Sequence, residues 1–211
     1  MNNRISSIAS RLCVLAALST SASFASASIS FVTGATNWLT SPPAACGWGQ
    51  LTGFNAYAWD EQQNITTSVF VDETQNPGGN ATPIPGTISG TFASHFIHFD
   101  GIPGVINATG TVTYNQPIVG VIFNKLTLDN TDALFGAGGT VYPTGYAFRG
   151  LSTNPPSFIT VVGNTISFSL NSITPTLDIA QIRVLTHVPA PGGAAILGMG
   201  GILLAQRRRR D

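Results

Sequence analysis

The chain has 211 residues, a formal net charge of zero and only 9% charged residues against 43% hydrophobic ones. That length holds one ordinary domain with short appendages. Gly plus Pro, 36 of 211, stays below the ~25–30% that marks a low-complexity disordered chain. The neutrality hides an asymmetry. Arg4 and Arg11 lie at one end, and Arg207, Arg208, Arg209 and Arg210 at the other. Residues 28–187 hold Lys125, Arg149 and Arg183 against Asp60, Glu61, Asp72, Glu73, Asp100, Asp129, Asp132 and Asp178, a formal charge of 3 − 8 = −5. A body of this sign offers nothing to a phosphate backbone, which argues against nucleic acid as a partner.

In chain order, residues 1–27 read as a signal peptide addressed to the Sec export machinery. Arg4 and Arg11 supply a basic region, residues 12–18 a short apolar one, and Ala25-Ser26-Ala27 the small-residue cleavage pattern. Cleavage is expected after Ala27, with Ala25 as the second choice. Removal of the signal leaves Cys46 as the remaining cysteine, so an internal disulfide is excluded.

Residues 28–187 carry runs of β-branched and aromatic residues bounded by turn formers. Strands are expected over 65–71, 87–92, 94–99, 110–114, 118–123, 158–162, 165–170 and 179–185, with a hairpin turn at Gly163-Asn164. Residues 126–139 read as loop with at most one helical turn, and 76–80 as loop. No run of ten or more residues shows a helical period. The fold class expected is all-β, a single β-sandwich of jelly-roll type.

Residues 188–211 read as a tail. Val188-Pro189-Ala190-Pro191 precedes the uncharged residues 192–205, then Gln206 and the arginine cluster. The apolar run is short against the ~20 residues of a comfortable span, but snorkelling arginines extend it. A short transmembrane helix is expected, with the arginines cytoplasmic and the body outward.

Candidate chemistry is sparse. His95 and His98 are an odd number of residues apart, so strand geometry sends them to opposite faces. His98 and Asp100 then share a face with too few ligands for zinc. Asp129 with Asp132, or Asp60 and Glu61 with Asp72 and Glu73, could offer oxygens to Ca²⁺, but solvated loop carboxylates are the expectation. No spacing selects a glycosidase pair, and no nucleophile elbow or phosphate-binding glycine motif is present. No catalytic residue, metal ligand or cofactor is assigned. Trp38, Trp48 and Trp59 could stack on sugars, although core packing is the commoner fate of Trp.

The tail resembles the PEP-CTERM sorting tail of Gram-negative bacteria in its order of Pro motif, short apolar helix and terminal arginines. Ala190 stands where that family usually carries glutamate. The resemblance implies an exosortase-like membrane enzyme as processing partner, transient inner-membrane anchoring, then a cell-surface or secreted location linked to extracellular polysaccharide and biofilm. Pieces of the body also look similar to a passenger found before such tails: Ser94-His95-Phe96, Leu126-Thr127-Leu128-Asp129, Arg149-Gly150-Leu151 and Ile182 to Thr186 among them. The leading expectation is a non-enzymatic surface or matrix protein. A carbohydrate-binding module is the alternative, and a secreted hydrolase the third reading.

Overall fold

The computed structural model describes residues 26–102, 107–172 and 178–188. Signal residues up to Ala25 and tail residues from Pro189 onward, including Ala190, Pro191 and Arg207 to Arg210, lie outside them. In chain order the elements are β1 (Ile29–Gly34), β2 (Thr36–Trp38), β3 (Thr52–Gly53), β4 (Ala56–Asp60), β5 (Ile65–Val71), β6 (Gly78–Gly79) and β7 (Gly86–Gly101). Then come β8 (Asn107–Tyr114), β9 (Ile118–Ile122), α1 (Lys125–Phe135), β10 (Phe158–Val162), β11 (Thr165–Asn171) and β12 (Ala180–His187).

The strands form two sheets, one ordered β1-β8-β11-β10-β6, the other β2-β4-β7-β12-β9 with β3 and β5 also on β7. Pairing is antiparallel except for β2 with β4 and β3 with β7. The architecture is a β-sandwich. Alternation explains it: Val112, Tyr114, Ile166, Phe168 and Leu170 point inward from the first sheet, and Ile97, Phe99, Ile182 and Val184 meet them from the second. Each aliphatic or phenylalanine side chain among them, taken fully out of water, contributes roughly 1.5–3 kcal/mol.

The second sheet is covered on its other face as well. Trp59, Phe96, Ile122 and Leu185 pack there against Leu128 and Phe135 of α1 and against Cys46. With both faces covered, residues 92–101 of β7 are buried without interruption, as are Ala180 to Thr186 of β12. The strands expected at 87–92 and 94–99 are one 16-residue strand. The two-residue turn at Gly163-Asn164 joins β10 to β11, with Gly163 at φ +63°.

Two loop expectations are overturned. Residues 76–80 contain the two-residue β6, and the segment 126–139 contains most of α1, eleven residues long. Its Thr, Asn and Asp residues are poor helix formers in isolation, and contacts from the rest of the fold supply what its sequence lacks. No helix among the described residues is long and apolar enough to cross a membrane.

Candidate functional site

The outer face of the second sheet carries a buried ionic layer. Arg183 rises from β12 with a fully buried side chain. Its Nε and Nη2 donate to Glu61 at 2.8 and 3.0 Å, Nη2 also to Asp132 at 3.1 Å, and Nη1 to Thr131 Oγ1 at 2.8 Å and Leu128 O at 3.4 Å. All five donors of the guanidinium are thus occupied. Phe96 and Tyr142 hold its carbon at 5.1 and 5.4 Å from their ring centroids. Burial alone would lower its pKa, but Glu61 and then Asp132 more than offset that, and the group is held above its ordinary range.

Asp132 joins this cation to a second one. Arg149 Nη1 donates to Asp132 at 2.6 Å and to Asp129 at 2.8 Å, and its Nε to Gln181 Oε1 at 2.9 Å. Lys125 pairs with Asp129 one turn away on α1, at 2.7 Å. Three cations meet three carboxylates, so the layer is neutral as a whole and its buried charges are compensated.

Gln181 carries the network to the sheet end. Its Nε2 donates to Cys46 O at 2.8 Å and lies 3.1 Å from His98 Nδ1. His98 Nε2 lies 3.0 Å from Gln50 O, a pure acceptor, so the proton is on Nε2 and Nδ1 accepts from Gln181. Burial pushes His98 down to about 4. Asp100, on the same face, accepts from Gly49 N at 2.7 Å, and desolvation raises its pKa.

The histidines diverge as strand geometry requires. His95 faces the sandwich interior, stacked 4.4 Å from Tyr114. Its Nδ1 meets Asp60 at 2.6 Å and its Nε2 meets Thr186 Oγ1 at 3.0 Å. This is the hydrogen-bond order of a hydroxyl-imidazole-carboxylate triad, and the sequence reading did not find it because the three residues lie on β4, β7 and β12. Thr186 is fully buried, so its hydroxyl is sealed from any substrate. The set cross-links three strands.

The carboxylates considered for Ca²⁺ are occupied by the protein, and they are not solvated loop groups. Asp129 and Asp132 hold arginines. Asp72 accepts from Phe123 N, Asn124 N, Asn124 Nδ2 and Thr127 Oγ1 at the start of α1. Glu73 gathers the N–H groups of Gln75, Gly79 and Ile84. Among the described residues no group of three or more His, Cys, Asp or Glu is placed to hold a metal ion. The tryptophans separate: Trp59 is in the core, while Trp38 and Trp48 are exposed.

At the end of the sheet where β12 begins, a cleft of about 380 Å³ opens between residues 147–154 and Asp178. Its wall is held from behind. Ile179 N donates to Phe148 O, Gln181 N to Gly150 O and Leu151 N to Phe123 O, while the Arg149 side chain runs inward to the ionic layer. Gly150, at φ +104°, passes so close to Phe123 O that a Cβ would lie 2.5 Å from it. Tyr146 and Phe148 meet edge to face at 6.1 Å beside the cleft, and burial raises the pKa of the Asp178 carboxyl. Compared with family models, with curated proteins and with solved structures, the chain matches none.

Proposed function

We propose that the chain is an exported cell-surface or extracellular-matrix protein without a catalytic site. It is delivered by the Sec machinery and sorted by an exosortase-type membrane enzyme acting on its tail. The supporting observation is the polarity of the body. Ala27 and Val188, near the two ends of the described chain, pack together on Ala93, and Val188 N donates to Thr91 O. The cleft lies at the far end of β12, roughly 25 Å away for eight residues of strand. A domain whose ends emerge together is held from one side and presents the other. A binding role is favoured over hydrolysis because six of the body's eight carboxylates, Asp60, Glu61, Asp72, Glu73, Asp129 and Asp132, are each engaged by cations or N–H groups of the protein itself, and of the other two Asp178 alone lines the cleft, where a glycosidase would need a pair.

The test is truncation after Val188, which keeps the last docked residue and removes the motif from Pro189, the apolar run and the arginines. The truncated protein is expected in the medium, while the full chain is retained at the surface. Equal surface retention of both forms would defeat the anchoring role.

A further inference from the structure

The outer face of the first sheet has no part in the site above. Its strands β1, β6, β8, β10 and β11 contain no Asp, Glu, Lys, Arg or His. The whole −5 of the body therefore sits on the other sheet, α1 and the loops. Register places the outward side chains in rows across the strands. One row is Phe31, Thr113, Thr165 and Val162; the next is Thr33, Thr111, Ser167 and Thr160; the third is Thr109, Ser169 and Phe158.

Hydroxyls pair along these rows. Thr33 Oγ1 lies 2.7 Å from Thr111 Oγ1, and Thr113 Oγ1 lies 3.0 Å from Thr165 Oγ1. A hydroxyl already partnered by its neighbour loses less when water is displaced from above it. The surface is thus polar enough to stay in water yet inexpensive to cover. Phe31 and Phe158, 62% and 51% exposed, stand at opposite corners. Three strand spacings and four residues of rise put them about 20 Å apart.

We propose that this face binds a neutral polysaccharide chain. The two phenyl rings stack on the apolar faces of separate sugar rings, and the threonine rows lie beneath the chain between them. The ligand is neutral because the face has no cation to meet a carboxylate or sulfate, and the acidic body repels a polyanion. It is extended because the aromatic platforms are far apart, with several sugar rings' length of hydroxyls between them. A protein partner would call for a central cluster of large anchors, and here the centre of the face is Thr111 and Ser167. The inference stands apart from the sorting reading, since it concerns the folded body and is tested in solution.

The test is electrophoresis of the full chain in native gels containing hydroxyethylcellulose, laminarin, dextran or galactomannan, with alginate as the polyanion. At least one neutral polymer is expected to retard it, with no loss at roughly 0.5 M salt, where charge interactions are screened. The Phe31→Ala/Phe158→Ala double variant should bind about tenfold or more weakly. Thr111→Lys, which keeps both rings but sets a charge in the middle row, should weaken binding as well, and it serves alone if the double variant does not fold. Trp48→Ala should bind as the parent does. The proposal is overturned if no neutral polymer retards the chain, or if only alginate does, in a salt-sensitive way. Loss of binding in Trp48→Ala with retention in the double variant would overturn it too. Sedimentation showing a dimer that the double variant abolishes, without polymer binding, would assign the face to a second copy instead.

Discussion

At the scale of single residues, the ionic layer works by completeness. Among the described residues, Asp132 is the one carboxylate shared by Arg183 and Arg149. Asp132→Ala leaves two buried guanidinium groups short of a counter-charge and is expected to cost about 3–5 kcal/mol. Urea unfolding measures this; a loss below about 1 kcal/mol would mean that water or Asp129 takes over. The double variant Glu61→Leu/Arg183→Met should lose less than Glu61→Gln alone, because it removes the buried charge together with its partner. His98 gives a pH dependence of definite sign. Burial, opposed by its bond to Gln50 and aided by nearby Arg149, puts its pKa at about 4 in the fold, below the ordinary ~6.5 of the unfolded chain. The unfolded chain therefore takes up the proton first as pH falls. The stabilisation is complete above pH ~6.5 and is lost progressively toward pH 4, on the order of 3 kcal/mol in all. A proton on Nδ1 would also oppose the Gln181 amide that donates there. His98→Gln should flatten the fall in urea midpoint between pH 7 and 4.5; an unchanged slope in the variant would show that His98 is not its source.

At the scale of elements, α1 is the case in which tertiary contacts overrule local preference. Asn124 at its N-cap makes no side-chain capping bond, and Asp72, from the turn after β5, does the capping from a distance. Its carboxylate takes two backbone N–H groups, the Asn124 amide and the Thr127 hydroxyl. Asp72→Ala is expected to cost roughly 2–3 kcal/mol, the range of charge-assisted bonds left without an acceptor. Amides of α1 should then exchange faster than those of β7 and β12; uniform exchange would show that the helix does not depend on this cap. The same arrangement explains what the sequence could and could not tell. β5 and β10 coincide with the runs expected from alternation, because each has one covered and one open face. β1 was missed because a bulge between Ile29 and Phe31 breaks its alternation. β4 was missed because Ala-Tyr-Ala-Trp is covered on both faces and alternates only in size. In α1, Thr131 and Asp132 read as loop residues because their partner, Arg183, is about fifty positions away. The ionic layer was hidden for the same reason. Its members were visible one by one, as the few charges of a sparsely charged chain, but their pairing depends on which strands lie side by side.

At the scale of the whole molecule, both the charges and the two ends of the described chain are segregated. One sheet is free of Asp, Glu, Lys, Arg and His, the other holds a buried neutral salt layer, and the two ends of the described chain, Ala27 and Val188, lie together. That last feature bears on where the proposed signal peptide would be removed. Ser26 and Ser28 are both held by Asn115: its Oδ1 accepts from Ser28 N, and its Nδ2 donates to Ser26 O and Ser28 Oγ. Between them Ala27 is fully buried against Ala93 and Val188. Cleavage after Ala27, the first expectation from the sequence, would delete a residue of the core and turn Ser28 N into a charged terminus. Cleavage after Ala25, the second expectation, keeps the docked residues and leaves the new charge on Ser26, which is exposed. The exported protein is therefore expected to begin Ser-Ala-Ser-Ile, as read by the mass of its N-terminal peptide. A protein prepared to begin at Ser28 should be less stable by about 1–2 kcal/mol, for one small apolar side chain lost to a cavity and one carbonyl bond removed. If the exported protein begins at Ser28 and unfolds at the same urea concentration as a form beginning at Ser26, the slot above Ala93 has no energetic weight. Otherwise the start of the mature chain forms part of the fold, closing the end of the sandwich from which the tail departs.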